Sequence, residues 1–334
     1  MTAPLVSIPI PFKNTAAYLK ECIQSIRDQQ YHTWEILAVD DHSTDGSRAI
    51  MENFADLDDR IKVVTNPGNG IIDALNTAYS MSSGTYITRM DSDDIMAPHR
   101  LQQMVGSLQL SGMGHIALGL VKYFREGAVG NGYRSYEGWL NGLTKTGANF
   151  GEIYKECVIP SPCWMVHRKD LDRAGAFVPD RYPEDYDLAF RFYAAGLKCI
   201  PTQEILHFWR DHGARASRNS DHYRENSFLD LKIHHFLNLH KMDRPLVLWG
   251  AGKKGKKLAQ LLIREKTDFY WACNNDKKIG REVYGKNLRH FKDLGDVDHP
   301  QYIVAVAGTI AQDSIREYLQ SRNLKNMEDY FFFC

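Results

Sequence analysis

The sequence predicts an α/β protein with two domains, each built around a parallel β-sheet. Through about the first 100 residues, short apolar runs typical of buried strands alternate with stretches of helical apolar spacing. The same alternation begins again at residue 246, after a polar and basic stretch. With 334 residues, the chain is long enough for each domain to bury its own core.

Composition places the chain among soluble globular proteins, with 43% hydrophobic and 25% charged residues. Lys+Arg and Asp+Glu both number 41, so the charge balance predicts no nucleic-acid partner. The six cysteines show no CxxC pair, which favours reduced thiols. We see no signal peptide and no run near the ~20 apolar residues that span a bilayer. We therefore expect a cytoplasmic protein, and leave open contact with the inner face of the membrane and homo-oligomerisation.

The first domain is predicted to cover residues 1–218, with its elements in regular order. We expect strands at 5–10, 34–39, 61–64 and 86–90, and helices at 16–30, 45–54, 71–81 and 186–195. Between 112 and 151 the pattern loosens, and glycines and aromatics predict weaker strands and loops suited to binding.

A helical connector is predicted at 219–243, followed by a smaller Rossmann-like α/β domain at 244–334. Gly250, Gly252 and Gly255 form a GxGxxG between a strand and a helix, as in dinucleotide sites. The acidic residue expected about 20 positions later is displaced to Asp276, behind two asparagines. The alternative is that the glycines serve only to let the helix pack tightly against the strand. We interpret this domain as structural, oligomerising or ligand-sensing, with no catalysis assigned. Its further elements are expected at 246–249, 256–264, 269–273, 302–306 and 310–322.

The most informative motif is the acidic loop after the predicted strand at 86–90. Asp91, Asp93 and Asp94 crowd three carboxylates into four residues. Because like charges repel, a fold keeps such a cluster together when a cation binds between its members. A hard divalent metal shared with substrate phosphates fits best. A solvated acidic turn is the alternative.

The ends of the first two strands are predicted to meet the acidic loop, because the carboxyl ends of parallel strands share one edge of a sheet. The turn at 11–14 could frame a flat base with its backbone. Asp40 could accept a hydrogen bond from that base, with helix capping left to Ser43 or Asp45.

Glu184 and Asp185 place two further carboxylates at a predicted helix start. They could complement the helix dipole, or supply a free proton acceptor across the cleft. A metal on two phosphates, opposite a separate proton acceptor, suits substitution at a carbon that carries a nucleoside diphosphate.

Six short motifs make residues 4 to about 218 resemble the family 2 glycosyltransferases, which have the GT-A fold. In the family's order and rough spacing, they occur at 6–14, 39–47, 69–76, 90–94, 184–188 and 209–212 with Ser217. The resemblance implies an inverting transferase that uses a nucleotide-sugar donor, most often a UDP-sugar, and Mn²⁺ or Mg²⁺. The implied acceptor is a hydroxyl of a glycan or of a lipid-linked precursor.

The resemblance also implies residue roles. Asp185 would be the catalytic base, and Glu184 would orient the acceptor. The metal would bind Asp93, as its main ligand, with Asp91 and His212. The nucleotide would contact Pro11, Phe12, Asn14, Asp40, Asn69, Asp91, Ser92 and Arg210.

Several alternatives stay open. His212 could be ordinary polar surface, and Arg210, Arg215 and Arg218 could be either a solvated basic face or a phosphate clamp. Lys13 replaces the family's usual tyrosine, which leaves the nucleotide base open. One rival function is an NAD-dependent oxidoreductase using the GxGxxG, which leaves the first domain unexplained. Another is a non-catalytic sensor of sugar nucleotides.

Overall fold

A computed structural model of the protein describes residues 3–178, 181–213, 215, 228–295 and 297–334. The chain divides into two compact units. Unit 1 comprises Met1–Phe150 and Val158–Arg224, and unit 2 comprises Gly151–Cys157 and Glu225–Cys334. Ser217 and Arg218, named in the sequence analysis, lie outside the described residues.

Unit 1 alternates strands and helices over its first half. Its strands are β1 (Val6–Phe12), β2 (Trp34–Asp40), β3 (Ile61–Thr65), β4 (Tyr86–Thr88), β5 (Ile95–Met96), β6 (His115–Leu118), β7 (Leu120–Phe124), β8 (Trp164–His167), β9 (Lys198–Ile200) and β10 (Ile205–Arg210). Its helices are α1 (Ala16–Arg27), α2 (Ser47–Ala55), α3 (Gly70–Met81), α4 (Arg100–Ser111), α5 (Asn131–Thr146), α6 (Arg168–Arg173) and α7 (Glu184–Ala194). The strands and helices expected up to residue 90 are all present, with ends shifted by a few residues.

The main sheet of unit 1 has seven strands in the order β3-β2-β1-β4-β8-β6-β9. β1 is buried along its whole length and pairs in parallel with β2 and β4. Pro9 and Pro11 are tolerated in this central strand because β4 pairs only with Val6 and Ser7, before the first proline. β8 runs antiparallel to β4 and β6, so it separates the parallel strands β3-β2-β1-β4 from the parallel pair β6-β9.

A second sheet, in the order β5-β10-β7, positions the segment that follows β10. β10 is antiparallel to β5 and parallel to β7. β5 follows the acidic loop directly in the chain, so this pairing brings the loop close to the end of β10.

The prediction of only weak strands and loops between 112 and 151 is wrong in one respect. This region contains α5, a helix of 16 residues. Gly132, Gly138 and Gly142 lie on its exposed face, where a missing side chain costs no packing. The helix instead buries Leu140 and Thr144. The glycines therefore weakened the apolar pattern without breaking the helix.

Unit 2 is a separate α/β unit. Its strands are β11 (Leu246–Trp249), β12 (Tyr270–Cys273), β13 (Glu282–Val283), β14 (Lys286–His290), β15 (Gln301–Val304) and β16 (Tyr330–Phe332), and its helices are α8 (Leu229–Leu239), α9 (Lys253–Arg264) and α10 (Thr309–Ser321). The sheet order is β13-β14-β12-β11-β15-β16, and all neighbours except β13 and β14 are parallel. Without β13, the strands follow the 3-2-1-4-5 order of doubly wound folds.

The segment Gly151–Cys157 belongs to unit 2, although the prediction placed it in domain 1–218. Its Glu152 pairs with Arg316 at 3.1 Å. The ring of Tyr154 is 1% exposed and stacks on Phe333 with centroids 4.9 Å apart. α8 also belongs to unit 2 rather than to a separate connector. The part of the predicted connector at 219–227 lies outside the described residues.

None of the helices in the described ranges is both long enough and apolar enough to cross a membrane.

Candidate functional site

Two ion pairs connect the acidic loop to the start of α7. Nη2 of Arg89 lies 3.0 Å from Oδ1 of Asp91, and Nη1 lies 3.0 Å from Oε1 of Glu184. The side chain of Arg89 is 4% exposed and that of Glu184 is 8% exposed. This charge chain, Asp91–Arg89–Glu184, brings together residues that lie 95 positions apart in the sequence.

Arg89 is a site residue that the sequence analysis missed. Burial alone would lower its pKa, but the negative charges of Asp91 and Glu184 hold the pKa of Arg89 above its usual range. The sequence feature that could have identified it is a single arginine near the end of an apolar strand, two residues before Asp91.

Replacing Arg89 by Met is expected to lower the free energy of unfolding by about 3–5 kcal/mol, because it leaves Glu184 buried without its cation. Urea denaturation measures this loss. Arg264→Met is the control, since Arg264 pairs with Asp230 on the surface, where both side chains are more than half exposed. That pair should contribute less than about 1 kcal/mol. Equal losses in the two variants would contradict a buried bridge at Arg89.

Asp185 lies in the first turn of α7, beside this charge chain. Its Oδ1 accepts a hydrogen bond from the backbone N–H of Tyr186 at 2.8 Å. Burial raises the pKa of Asp185 to about 7; the negative charges of Glu184 and Asp91 add to the rise, and Arg89 opposes it. Asp185 is therefore close enough to the acidic loop to feel its charge, and it can exchange a proton near neutral pH.

Asp93 and His212, two of the predicted metal ligands, lie in direct contact at the acidic loop. Oδ2 of Asp93 lies 2.7 Å from Nε2 of His212, and the Tyr18 ring packs on the imidazole with centroids 4.4 Å apart. Both side chains are mostly buried. Within the described ranges of the chain, no three His, Cys, Asp or Glu side chains are grouped to hold a metal ion.

The donor set at Asp93 and His212 fits a divalent cation that completes its shell with phosphate and water. A carboxylate oxygen suits Mg²⁺ and Mn²⁺, which bind proteins through one or two such groups beside substrate phosphates. Asp91, predicted as a further ligand, has one carboxylate oxygen occupied by Arg89. Of the three predicted ligands, Asp93 and His212 are therefore the two brought together directly.

The loop after β2 engages Asp40, at the end of that strand, and Asn14, just after β1. Oδ1 of Asp40 accepts the backbone N–H of Ser43 at 2.9 Å. Oδ1 of Asn14 accepts the backbone N–H of Thr44 at 2.8 Å. The prediction that Ser43 or Asp45 caps α2 is wrong, because the N-cap is Gly46; Asp45, one position earlier, accepts the backbone N–H of Ser47 at 2.9 Å.

Asp41 organises the neighbouring loops and was not predicted as a site residue. Its Oδ1 accepts the backbone N–H of Gly70 and the amide of Asn66, both at 2.8 Å. Lys13 lies 3.0 Å from its other oxygen. Burial alone would raise the pKa of Asp41, but these hydrogen bonds hold it below its usual range. Lys13 is thus tied to a carboxylate, which orients it within the predicted base-binding turn.

The remaining predicted nucleotide contacts differ in accessibility. The side chain of Phe12 is 2% exposed and packs in the core, and Pro11 is buried in β1. Ser92 is 6% exposed. Asn69 is exposed, and its backbone N–H donates to Asp73 at 2.9 Å.

Arg210, predicted to contact the nucleotide, lies against the acidic loop. Its Nε donates to the backbone carbonyl of Asp93 at 2.8 Å. Its guanidinium also lies over the rings of Phe124 and Tyr18, at 4.6 and 5.0 Å from their centroids. The side chain therefore packs against both rings, beside the predicted metal ligand.

The GxGxxG of unit 2 fits the packing alternative. Gly250 has φ of 126°, which favours glycine, and its carbonyl accepts the Trp271 indole N–H at 2.9 Å. A Cβ on Gly255 would lie 2.1 Å from the carbonyl oxygen of Gly250. Asn274, at the end of β12, accepts the indole N–H of Trp249 at 2.9 Å.

Gly255→Ala is expected to lower the free energy of unfolding by about 1–3 kcal/mol, because the new methyl group would force the backbone at Gly250 to move. Gly252→Ala is the matched control, since a Cβ there would meet no atom within 4 Å. It should change stability by less than about 0.5 kcal/mol. Hydrogen exchange of the α9 amides measures the change in stability in both variants. Equal protection in the two variants would contradict the packing role.

Known proteins resemble this chain in sequence and in fold. The family described as glycosyl transferase family 2 matches residues 7–175. A Haemophilus influenzae protein described as an uncharacterized glycosyltransferase is 29% identical over 279 residues, covering 78% of this chain and 84% of that protein.

Two solved structures share the fold. S. aureus TarS 1–349, in complex with UDP-GlcNAc, matches with a TM-score of 0.53 at 17% identity, over 78% of this chain and 72% of TarS 1–349. The mannosyltransferase PcManGT from Pyrobaculum calidifontis, in complex with GDP-Man and Mn²⁺, matches with a TM-score of 0.50 at 20% identity, over 71% of this chain and 64% of that one. The predicted α/β architecture of the GT-A type is confirmed. Since the family match spans more than half of the sequence, the chain belongs to glycosyl transferase family 2 and is a glycosyltransferase.

Proposed function

We propose that this glycosyltransferase moves a sugar from a nucleoside diphosphate donor, preferably a UDP-sugar, to a hydroxyl of a glycan or lipid-linked acceptor, with inversion at the anomeric carbon. The observation that carries the proposal is the charge chain Asp91–Arg89–Glu184. It joins the acidic loop to the start of α7, where Asp185 has a pKa near neutrality.

In the proposed reaction, Asp185 accepts the proton of the acceptor hydroxyl. The hydroxyl oxygen forms a bond to the anomeric carbon as the bond to the diphosphate breaks. Attack from the face opposite the leaving group inverts the anomeric configuration. Arg89 fixes the neighbouring Glu184, and through it the start of α7, so that the base keeps a constant position relative to the donor.

Asp93 and His212 are proposed to hold Mn²⁺ or Mg²⁺. The short distance between Oδ2 and Nε2 supports this pair, as does the Mn²⁺ in the PcManGT structure. Bound there, the cation would stabilise the negative charge of the departing diphosphate. Arg210, beside Asp93, is proposed to contact the same diphosphate.

The preference for UDP is supported by the UDP-GlcNAc in the TarS structure, while the GDP-Man in PcManGT makes GDP the main competitor. The oxidoreductase alternative has less support. Asn274 stands where a dinucleotide site would need a carboxylate, and its side-chain oxygen accepts a hydrogen bond from Trp249.

Calorimetry with UDP, GDP, ADP, CDP and NAD⁺, each with and without Mn²⁺, tests this proposal. We expect UDP to bind most tightly and only with Mn²⁺, and NAD⁺ not to bind. Release of UDP from UDP-sugars then separates an enzyme from a sensor, because a sensor binds without turnover. Binding of NAD⁺ in place of all nucleoside diphosphates would overturn the proposal.

A further inference from the structure

Asp94, the third carboxylate of the acidic loop, has contacts unlike those of Asp91 and Asp93. Its side chain is 1% exposed. One oxygen accepts the backbone N–H of Arg210 at 2.7 Å, and the other lies 3.0 Å from Nε2 of His207. Arg210 is the last residue of β10, two positions before His212. Asp94 therefore ties the loop that carries Asp93 to the strand that leads into His212.

The tautomer of His207 follows from its buried neighbours. Its Nδ1 lies 3.0 Å from Nη1 of Arg100. A guanidinium can only donate hydrogen bonds, so Nδ1 accepts, and the ring proton lies on Nε2, which donates to Asp94. Burial and the positive charge of Arg100 hold the pKa of His207 well below its usual range, which keeps the ring neutral.

Arg100, the first residue of α4, holds the other end of the acidic loop. Its Nη2 donates to Oγ1 of Thr88 at 2.9 Å and to the backbone carbonyl of Arg89 at 3.3 Å. Arg100 is fully buried. The loop is thus fixed by Arg100 before it begins and by Asp94 where it ends, and His207 connects the two anchors.

We infer that Asp94 and His207 are positioning residues, which set the distance between Asp93 and His212 and thereby the affinity of that pair for a divalent cation. The inference rests on the proposed function, because it assumes that this pair binds the metal. Groups that orient metal ligands from outside the coordination shell typically change metal affinity by about 10–100-fold when replaced.

Two histidine substitutions separate positioning from general packing. Gln at position 207 can place an amide N–H near the position of Nε2 and so keep the hydrogen bond to Asp94. Asn is one carbon shorter and can keep only the contact to Arg100. We expect His207→Gln to bind Mn²⁺ in the presence of UDP within about threefold of wild type, and His207→Asn to bind it about 10–100-fold more weakly. Electron paramagnetic resonance of free Mn²⁺ measures both.

Asp94→Asn provides a second test that does not depend on the histidine variants folding. Asp94 accepts hydrogen bonds from two N–H groups, one of Arg210 and one of His207. Asn has a single side-chain oxygen, so one of these N–H groups would face the amide NH₂ instead. We expect the same 10–100-fold loss of Mn²⁺ affinity. Asp172→Asn, which disturbs a hydrogen bond from Tyr79 instead, should retain wild-type affinity.

The outcomes separate this inference from the proposed function. Wild-type protein that binds no Mn²⁺ with UDP would overturn both. Wild-type affinity in folded His207→Asn and Asp94→Asn would overturn the positioning role alone. Equal losses in Asp94→Asn and Asp172→Asn would also overturn it, because the loss would then reflect general destabilisation.

Discussion

Replacing Asp185 by Asn is expected to lower kcat for sugar transfer by about 10²–10⁴-fold, because the variant has no carboxylate to accept the proton of the acceptor hydroxyl. The amide has nearly the same shape, so the affinity for UDP with Mn²⁺ should stay unchanged. Initial rates of UDP release with saturating acceptor measure the first effect, and calorimetry measures the second.

The pH dependence of Asp185 follows from its raised pKa of about 7. The base acts only when ionised, so kcat/KM should fall as pH drops below 7. Stability should change in the opposite direction, because a carboxyl with a raised pKa in the folded state destabilises the fold when it is ionised. That cost is full above pH 7 and fades as the pH falls towards 4. Asp185→Asn should therefore raise the free energy of unfolding at pH 8, by at most about 4 kcal/mol.

Asp230→Asn is a suitable control, since Asp230 also lies in the first turn of a helix but is exposed, and belongs to unit 2. Its rate and pH profile should match those of wild type. A proton acceptor at Asp185 would be contradicted by an Asp185→Asn variant that retains wild-type kcat, or by a pH profile that the substitution leaves unchanged.

Replacing Asp93 by Asn is expected to abolish Mn²⁺ binding in the presence of UDP and to lower kcat/KM by about 10²–10³-fold. The substitution removes the negative charge from the proposed main ligand. His212→Ala should also weaken Mn²⁺ binding and lower kcat/KM, but by less, because it removes a ligand without removing a negative charge. Mn²⁺ titration followed by UDP-release assays measures both variants.

Asp28→Asn is the control for Asp93, since Asp28 accepts an exposed hydrogen bond from Gln24 at the end of α1. It should retain metal binding and activity. Activity that is independent of Mn²⁺ and Mg²⁺, and equal in wild type and Asp93→Asn, would rule out the proposed metal site.

The sequence predicted the core strands well because a parallel sheet buries both faces of its strands, which produces continuous apolar runs such as β1 and β2. β14 escaped prediction because only Leu288 is buried in it, so it has no such run. The segment Gly151–Cys157 escaped for another reason. Its packing in unit 2 depends on contacts more than 160 positions away, such as Glu152 with Arg316, and no local pattern encodes them.

In the candidate site, motif order predicted Asp93 and His212, which lie 119 positions apart in sequence and meet at 2.7 Å. The buried cations were not predicted. Arg89 and Arg100 lie in stretches where a single arginine normally indicates a surface position. Only the folded chain shows that Arg89 joins Asp91 to Glu184, and that Arg100 contacts Thr88, His207 and two backbone carbonyls.

A crystal structure with Mn²⁺ and UDP tests the central claim most directly. The claim is that Asp93 and His212, which lie far apart in the sequence, bind one cation opposite a carboxyl that stays free to accept a proton. We expect the anomalous signal of a single Mn²⁺ in direct contact with Asp93, His212 and both UDP phosphates, and Asp185 outside its coordination shell. Mn²⁺ bound away from Asp93, or coordinated by Asp185, would contradict the account.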